Sequence, residues 1–216
     1  MPKRKAEPGL KVLVTAGPTR EWLDPVRFIS NPSTGVMGYE IAKSAARRGM
    51  AVTLLSGPTH LASPKKIRTL FFESAGDLLA LLEREFPKHD VLFMTAAIGD
   101  YQPVKRLLSK IKRKSTLAVS FRQTPDLLAR VAGRKKWHQT VVGFCLETEN
   151  LALNAMRKLR SKKLDFIVAN YLGKGTRPFG SGKTNVLIID RKGKPVTFQK
   201  ISKPRLADKL IHLITR

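Results

Sequence analysis

Apolar positions along this chain recur with two periods, and the two periods alternate. Short runs rich in Val, Ile, Leu and Phe read as strands: Leu10–Thr15, Ala51–Leu55, Ile67–Glu73, Asp90–Thr95, Thr140–Phe144, Asp165–Ala169 and Val186–Ile189. Between them lie segments with apolar residues at helical spacing: Gly38–Arg48, Ala75–Glu85, Pro125–Ala132, Asn150–Lys163 and Ala207–Thr215. Gly49 stops the first helix and Ser74 is placed to cap the second. Asp90–Thr95 is apolar at nearly every position, as expected of a strand covered on both faces. Residues 99–116 lack a period and read as a loop. Residues 1–9 read as a flexible arm, which leaves 10–216 as a single domain.

Strand alternating with helix predicts an α/β chain: a Rossmann-like, three-layer fold with a largely parallel sheet and helices on both faces. Ligands in such sheets bind beyond the carboxyl ends of the strands, near a switch in strand order. The loops expected at the site are Gly17–Asn31, Ser56–Thr59, Ala96–Tyr101, Cys145–Glu149 and the stretch from Asn170 onward.

Two familiar phosphate motifs fail. After the first strand the sequence is Gly17-Pro18-Thr19-Arg20-Glu21, so the dinucleotide fingerprint G-x-G-x-x-G is absent. Ser181-Gly182-Lys183-Thr184 resembles the end of a P-loop, but Arg177 stands where the first glycine belongs, and the stretch precedes a strand. Gly17–Gly38 is more informative, because long connections in compact α/β domains are often functional. It ends in Asn31, Pro32, Ser33, Thr34 and Gly35, small hydrogen-bonding groups ahead of a helix, which suit an anion. Ordinary capping by Ser33 or Thr34 is the equal alternative. In Thr95–Pro103, Ala96 and Ala97 leave room for a flat ligand against the backbone. Asp100 could accept from an amine or a ribose, although a turn aspartate is the commoner use.

Composition narrows the class. The chain has 216 residues, 42% hydrophobic and 26% charged, which is globular. No apolar stretch approaches the ~20 residues of a bilayer span, so no membrane segment is expected. The basic start is not followed by the apolar region of a signal peptide. A single cysteine, Cys145, excludes an internal disulfide and fits a reducing cytoplasm. The four histidines have no metal-ligand spacing. The formal net charge is +25, which alone suggests a polyanion partner. The excess is uneven: residues 1–108 hold 16 basic and 10 acidic side chains, residues 109–216 hold 25 and 6. One cluster is Lys105, Arg106, Lys110, Lys112, Arg113 and Lys114, and another runs from Arg157 to Lys163. No aromatic interrupts the first cluster, and no zinc-finger, homeodomain or RNP-like pattern is present.

Six ordered blocks carry a resemblance: VTAGPT with DPVRFISN-x-S-x-G-x-MG, then TAA-x-x-DY-x-P, KIKR, TPDLL, VGF-x-x-ET and KLRSKKLDFIVAN. In these the chain resembles phosphopantothenoylcysteine synthetase, from about Val12 to the C-terminus. The resemblance implies a ligase of coenzyme A assembly, in a stand-alone form without the flavin-dependent decarboxylase domain and without flavin. It implies joining 4'-phosphopantothenate to L-cysteine through an acyl-cytidylate, with CTP as co-substrate, and with release of pyrophosphate and CMP. Mg2+ (or Mn2+) is implied with the nucleotide, and so is a homodimer in the cytoplasm.

Block by block, the resemblance implies site residues. Asn31 would contact the acyl-phosphate and serve the second half-reaction, with Ser33, Thr34 and Gly35 beside it at the substrate. Asp100 would meet the cytidine, with Ala96 and Ala97 lining the base pocket. Lys110, on a lid, would meet the triphosphate. Pro125, Asp126, Leu127, Leu128 and Phe144 would contact the nucleotide, and Lys158 and Lys162 would face its phosphates from one helix face. Arg106, Lys114, Arg157 and Lys163 read as surface, and Cys145 as small filler. Two departures stand out: Arg113 replaces the last lysine of K-x-K-K, and Gly182 stands where the family often has an acid. Competing readings are an ATP-preferring ligase and a nucleic-acid-binding protein on the same fold.

Overall fold

The computed structural model describes residues 9–113, 115–172, 180 and 182–215. The expected arm, apart from Gly9, lies outside the described residues, as do Lys114, Arg177 and Ser181. The chain begins β1 (Lys11–Ala16), β2 (Arg20–Trp22), β3 (Phe28–Ser30), α1 (Val36–Arg47), β4 (Ala51–Ser56) and β5 (Arg68–Phe71). It continues α2 (Ala75–Glu85), β6 (Val91–Met94), β7 (Tyr101–Pro103), β8 (Phe121–Gln123) and α3 (Leu127–Ala132). It closes with β9 (Thr140–Glu147), α4 (Leu151–Ser161), β10 (Phe166–Tyr171), β11 (Thr184–Asp190), β12 (Pro195–Ile201) and α5 (Lys203–Thr215).

Eight strands form one sheet in the order β12-β11-β10-β9-β6-β1-β4-β5. From β10 to β5 every pairing is parallel, while β11 and β12 add an antiparallel hairpin at one edge. Helices α1 and α5 cover one face with Tyr39, Ile41, Leu206 and Leu210. Helices α2, α3 and α4 cover the other with Leu78, Leu82, Leu127 and Leu159. β6 is buried at all four positions, which explains its unbroken apolar run. The α/β expectation holds. The switch in strand order falls between β1 and β6, where both chains leave the sheet in opposite lateral directions.

Several boundaries move. β9 runs on to Glu147 because Cys145 and Leu146 keep their parallel pairing with Ala169 and Asn170. Cys145–Glu147 and Asn170 therefore belong to strands, not to the expected loops. α1 begins at Val36 and α5 at Lys203, each ahead of the sequence reading; Pro204 sits in the first turn of α5, where its missing N–H is harmless. Two short ribbons, β2–β3 and β7–β8, emerge where no strand was expected: β2, β3 and β7 in segments that read as loops, β8 in a stretch given no element. β11 begins directly at Thr184, so the Gly182-Lys183-Thr184 stretch leads into a strand, unlike a P-loop. Among the described residues, no helix is long and apolar enough to cross a membrane.

Candidate functional site

A cleft of about 610 Å³ opens at the carboxyl ends of β6, β9 and β10, beside the switch in strand order. Its wall on the β1 side is the start of α1. Gly38 lets this helix close down on the sheet: a Cβ there would lie 2.6 Å from both the Ala16 Cβ and the Thr95 Oγ1. Gly35 caps the helix in a left-handed conformation (φ 76°), with no side-chain cap bond. Neither Ser33 nor Thr34 caps α1, so the capping alternative fails. Ser33 Oγ accepts the Gly35 N–H at 3.4 Å, and Thr34 Oγ1 accepts the Gly180 N–H at 3.2 Å. The helix N-terminus faces the cleft, since Gly35, Val36, Met37 and Gly38 all line it.

Asn31 lines the same wall and is exposed. Its Nδ2 donates to the Ile98 carbonyl at 3.0 Å, which ties the α1 approach to the loop after β6. On that loop Ala96 and Ala97 line the cleft, but their backbone is largely committed. Ala97 donates to the Gly17 carbonyl at 2.9 Å and accepts from the Thr19 N–H at 3.1 Å, while Ala96 donates to Thr15 Oγ1 at 3.0 Å. The two alanines supply a flat surface there, and the Ala97 N–H is already spent on Gly17. Asp100 is exposed at the rim, and its carbonyl accepts the Thr124 N–H at 2.9 Å.

The far wall is built by α3, α4 and β9. Pro125, Asp126, Leu127, Leu128 and Phe144 line it. Asp126 caps α3 by accepting the Ala129 N–H at 2.9 Å. Lys158 reaches the cleft from α4 and Lys162 from the residue just past its end, and each holds a carboxylate: Lys158 Nζ lies 2.6 Å from Glu147, Lys162 Nζ 2.9 Å from Asp126. Cys145 lines the cleft half-buried against the α2–α4 core, which fits a filling role. Lys110 is the exception. It is exposed on the connection between β7 and β8 and does not line the cleft.

Sequence reasoning missed Lys203 and Thr184, which line the α5 side, while Asn170 lines it from the stretch expected at the site. Lys203 is only 5% exposed, its ammonium donates to the Gly180 carbonyl, and burial lowers its pKa. The signal lay in Ser202-Lys203-Pro204, a helix start with proline in the first turn. Among the described residues, no group of three or more His, Cys, Asp or Glu could hold a metal ion.

Against this geometry the chain can be compared with known proteins. The profile of the DNA/pantothenate metabolism flavoprotein C-terminal domain matches residues 8–216. The chain belongs to this family. It is 37% identical over 212 residues to the coenzyme A biosynthesis bifunctional protein CoaBC of Vibrio cholerae, covering 95% of this chain and 52% of that one. A cysteine/cysteine sulfinic acid decarboxylase from an unknown prokaryotic organism is 38% identical over 208 residues, covering 95% and 58%. This chain thus spans about half the length of the curated relatives it matches. The crystal structure of the C-terminal domain of CoaBC superposes with a TM-score of 0.82 at 34% identity, covering 96% of this chain and 95% of that domain. The family domain therefore accounts for the fold and for the loops that build the cleft.

Proposed function

We propose that this chain is a phosphopantothenate–cysteine ligase that activates its acid with CTP. One observation carries the reading. Five of the family's six blocks, scattered from Asn31 to Asn170, line a single cleft beside the switch point of the sheet; KIKR alone lies outside the lining.

A carboxylate is a poor acyl donor because its leaving group would be oxide. In the first step an oxygen of the 4'-phosphopantothenate carboxylate attacks the α-phosphorus of CTP. The bond to the β-phosphate oxygen breaks and pyrophosphate leaves. In the second step the cysteine amine attacks the acyl carbon, the bond to the phosphate oxygen breaks, CMP leaves, and the amine gives up a proton. Negative charge builds on phosphate oxygens in both steps, and the α1 N-terminus, Lys158 and Lys162 are the positive groups arranged to meet it. Asn31 offers a neutral amide to the acyl-phosphate without drawing the incoming amine into an ion pair. Mg2+ or Mn2+ bound with the nucleotide would neutralise charge on its phosphates, and Asp100 at the rim would meet the cytidine. The single-cysteine composition suits a cytoplasmic setting.

A homodimer fits the exposed apolar side chains that gather on the two ribbons: Val26, Phe28 and Ile29 on one, Tyr101, Val104 and Phe121 on the other. Sedimentation of the purified chain at twice the monomer mass, and at monomer mass for Ile29→Glu, is the expected result.

The reaction is tested by pyrophosphate release. Release should require both CTP and 4'-phosphopantothenate, and the amide should appear only once cysteine is added. No nucleotide-dependent pyrophosphate under these conditions sinks the reading, and competition between CTP and ATP decides the base. Asn31→Asp should still release pyrophosphate but accumulate acyl-cytidylate; normal turnover by that variant removes the role given to Asn31.

A further inference from the structure

Both ribbons spring from the rim of the cleft. β3 leads into Asn31, β7 follows Asp100, and β8 leads into Thr124, all cleft-lining residues. Their outer ends are tied together by one ion pair. Asp24, in the turn between β2 and β3, is fully buried. Its Oδ1 accepts the N–H groups of Val26 at 2.7 Å and Arg27 at 2.8 Å. Its Oδ2 accepts Arg27 Nη1 at 2.6 Å and the Ile111 N–H at 3.0 Å. Arg27 Nη1 also donates to the Ile111 carbonyl at 3.2 Å. A residue 87 positions down the chain thus has both of its main-chain groups held by one Asp–Arg pair.

Two further contacts join the same parts. The Leu107 N–H donates to the Leu23 carbonyl at 2.9 Å, and the Arg106 guanidinium stands 5.6 Å from the centre of the Trp22 ring. Ile111 sits between Lys110 and Lys112, with Arg113 next, and all three of these cations are exposed. A buried carboxylate is costly unless donors surround it, and here they do. The Ile111 N–H is the foremost cause that holds the Asp24 carboxyl down at about 2. An ordinary surface loop needs no such grip.

We propose that Asp24 and Arg27 are positioning residues that grip Ile111 and so fix the Lys110–Arg113 segment against the outer ends of the ribbons, as an arm whose cations reach toward the nucleotide polyphosphate. The anion's identity rests on the ligase reading; the grip does not. A segment held in advance saves the nucleotide the ordering cost of a long connection. It also accounts for Lys110 standing outside the cleft lining, on an anchored arm whose position is set from Asp24.

Two variants separate the parts. Asp24→Asn keeps the shape and removes the charge. Ile111→Pro deletes the N–H that Asp24 accepts and leaves the ion pair intact. In both, tryptic cleavage after Lys112 and Arg113 should speed up on the order of tenfold well below the melting transition, where global unfolding contributes nothing, the loss of one charge-assisted bond. The KM for CTP in pyrophosphate release should rise by a similar factor with kcat within about twofold. The double variant should be no worse than Asp24→Asn alone, because both break one contact. Unchanged cleavage in a folded variant overturns the grip. Faster cleavage with an unchanged nucleotide KM overturns the positioning role. If the parent enzyme releases no pyrophosphate with any nucleotide, the ligase reading and the polyphosphate half of this inference fall together, while cleavage still decides the grip. Should Asp24→Asn not fold, Ile111→Pro decides alone.

Discussion

Cys145 sits on the cleft wall beside Lys158 and Lys162, where a thiolate nucleophile could be imagined. Burial outweighs the two ammonium groups and pushes the thiol up to about 11. Below that pH the sulfur keeps its proton and is a poor nucleophile. Cys145→Ala should therefore keep pyrophosphate release within about twofold, and iodoacetamide should label the parent thiol slowly at pH 8, faster only as pH approaches 11. Loss of turnover in the alanine variant would give the thiol a chemical role. At this scale the sequence was a good guide to which residues meet and a poor guide to what they do before a ligand arrives. Asn31, Asp100, Phe144, Lys158 and Lys162 share the cleft. Nothing in the order of residues told that Ala97 would spend its backbone on Gly17 and Thr19, or that Lys162 would lie on Asp126, because those partners are set by tertiary contact.

Elements were legible wherever burial imposes a period. The long strands and helices were read with ends off by a few residues, since β9 and β10 extend each other by pairing, which no local pattern encodes. The three-residue strands of the two ribbons are too short for any period, and they are held largely by contacts between distant segments, such as Asp24 with Ile111. β12 was legible and missed: Val196 and Phe198 alternate with polar neighbours after the Lys192-Gly193 turn, a hairpin signal. The tightest constraint on an element is Gly38. A methyl there would press on the Thr15 carbonyl at 2.8 Å as well as on Ala16 and Thr95, and backbone cannot swing aside. Gly38→Ala should lower unfolding free energy by about 1–3 kcal/mol in urea titration. It should also weaken CTP binding, since α1 carries one wall of the cleft. A variant of parental stability would mean that the helix has room to move.

For the whole molecule, the charge of +25 is far more than one nucleotide and one phosphorylated acid require. It should make the protein bind duplex DNA without sequence preference at low salt. That affinity should fall at least about a thousandfold between 50 and 200 mM salt, as counterion release dictates. Tight binding that survives 200 mM would instead revive the nucleic-acid reading. The cleft itself is less cationic than this total suggests. Lys158 and Lys162 each rest on an acid, Glu147 and Asp126. The site thus carries built-in counterions, and an arriving phosphate must exchange places with a carboxylate instead of meeting a bare ammonium. That exchange takes some strength from binding and returns it at departure: as an anionic product loosens, Glu147 and Asp126 reclaim their lysines and help it leave.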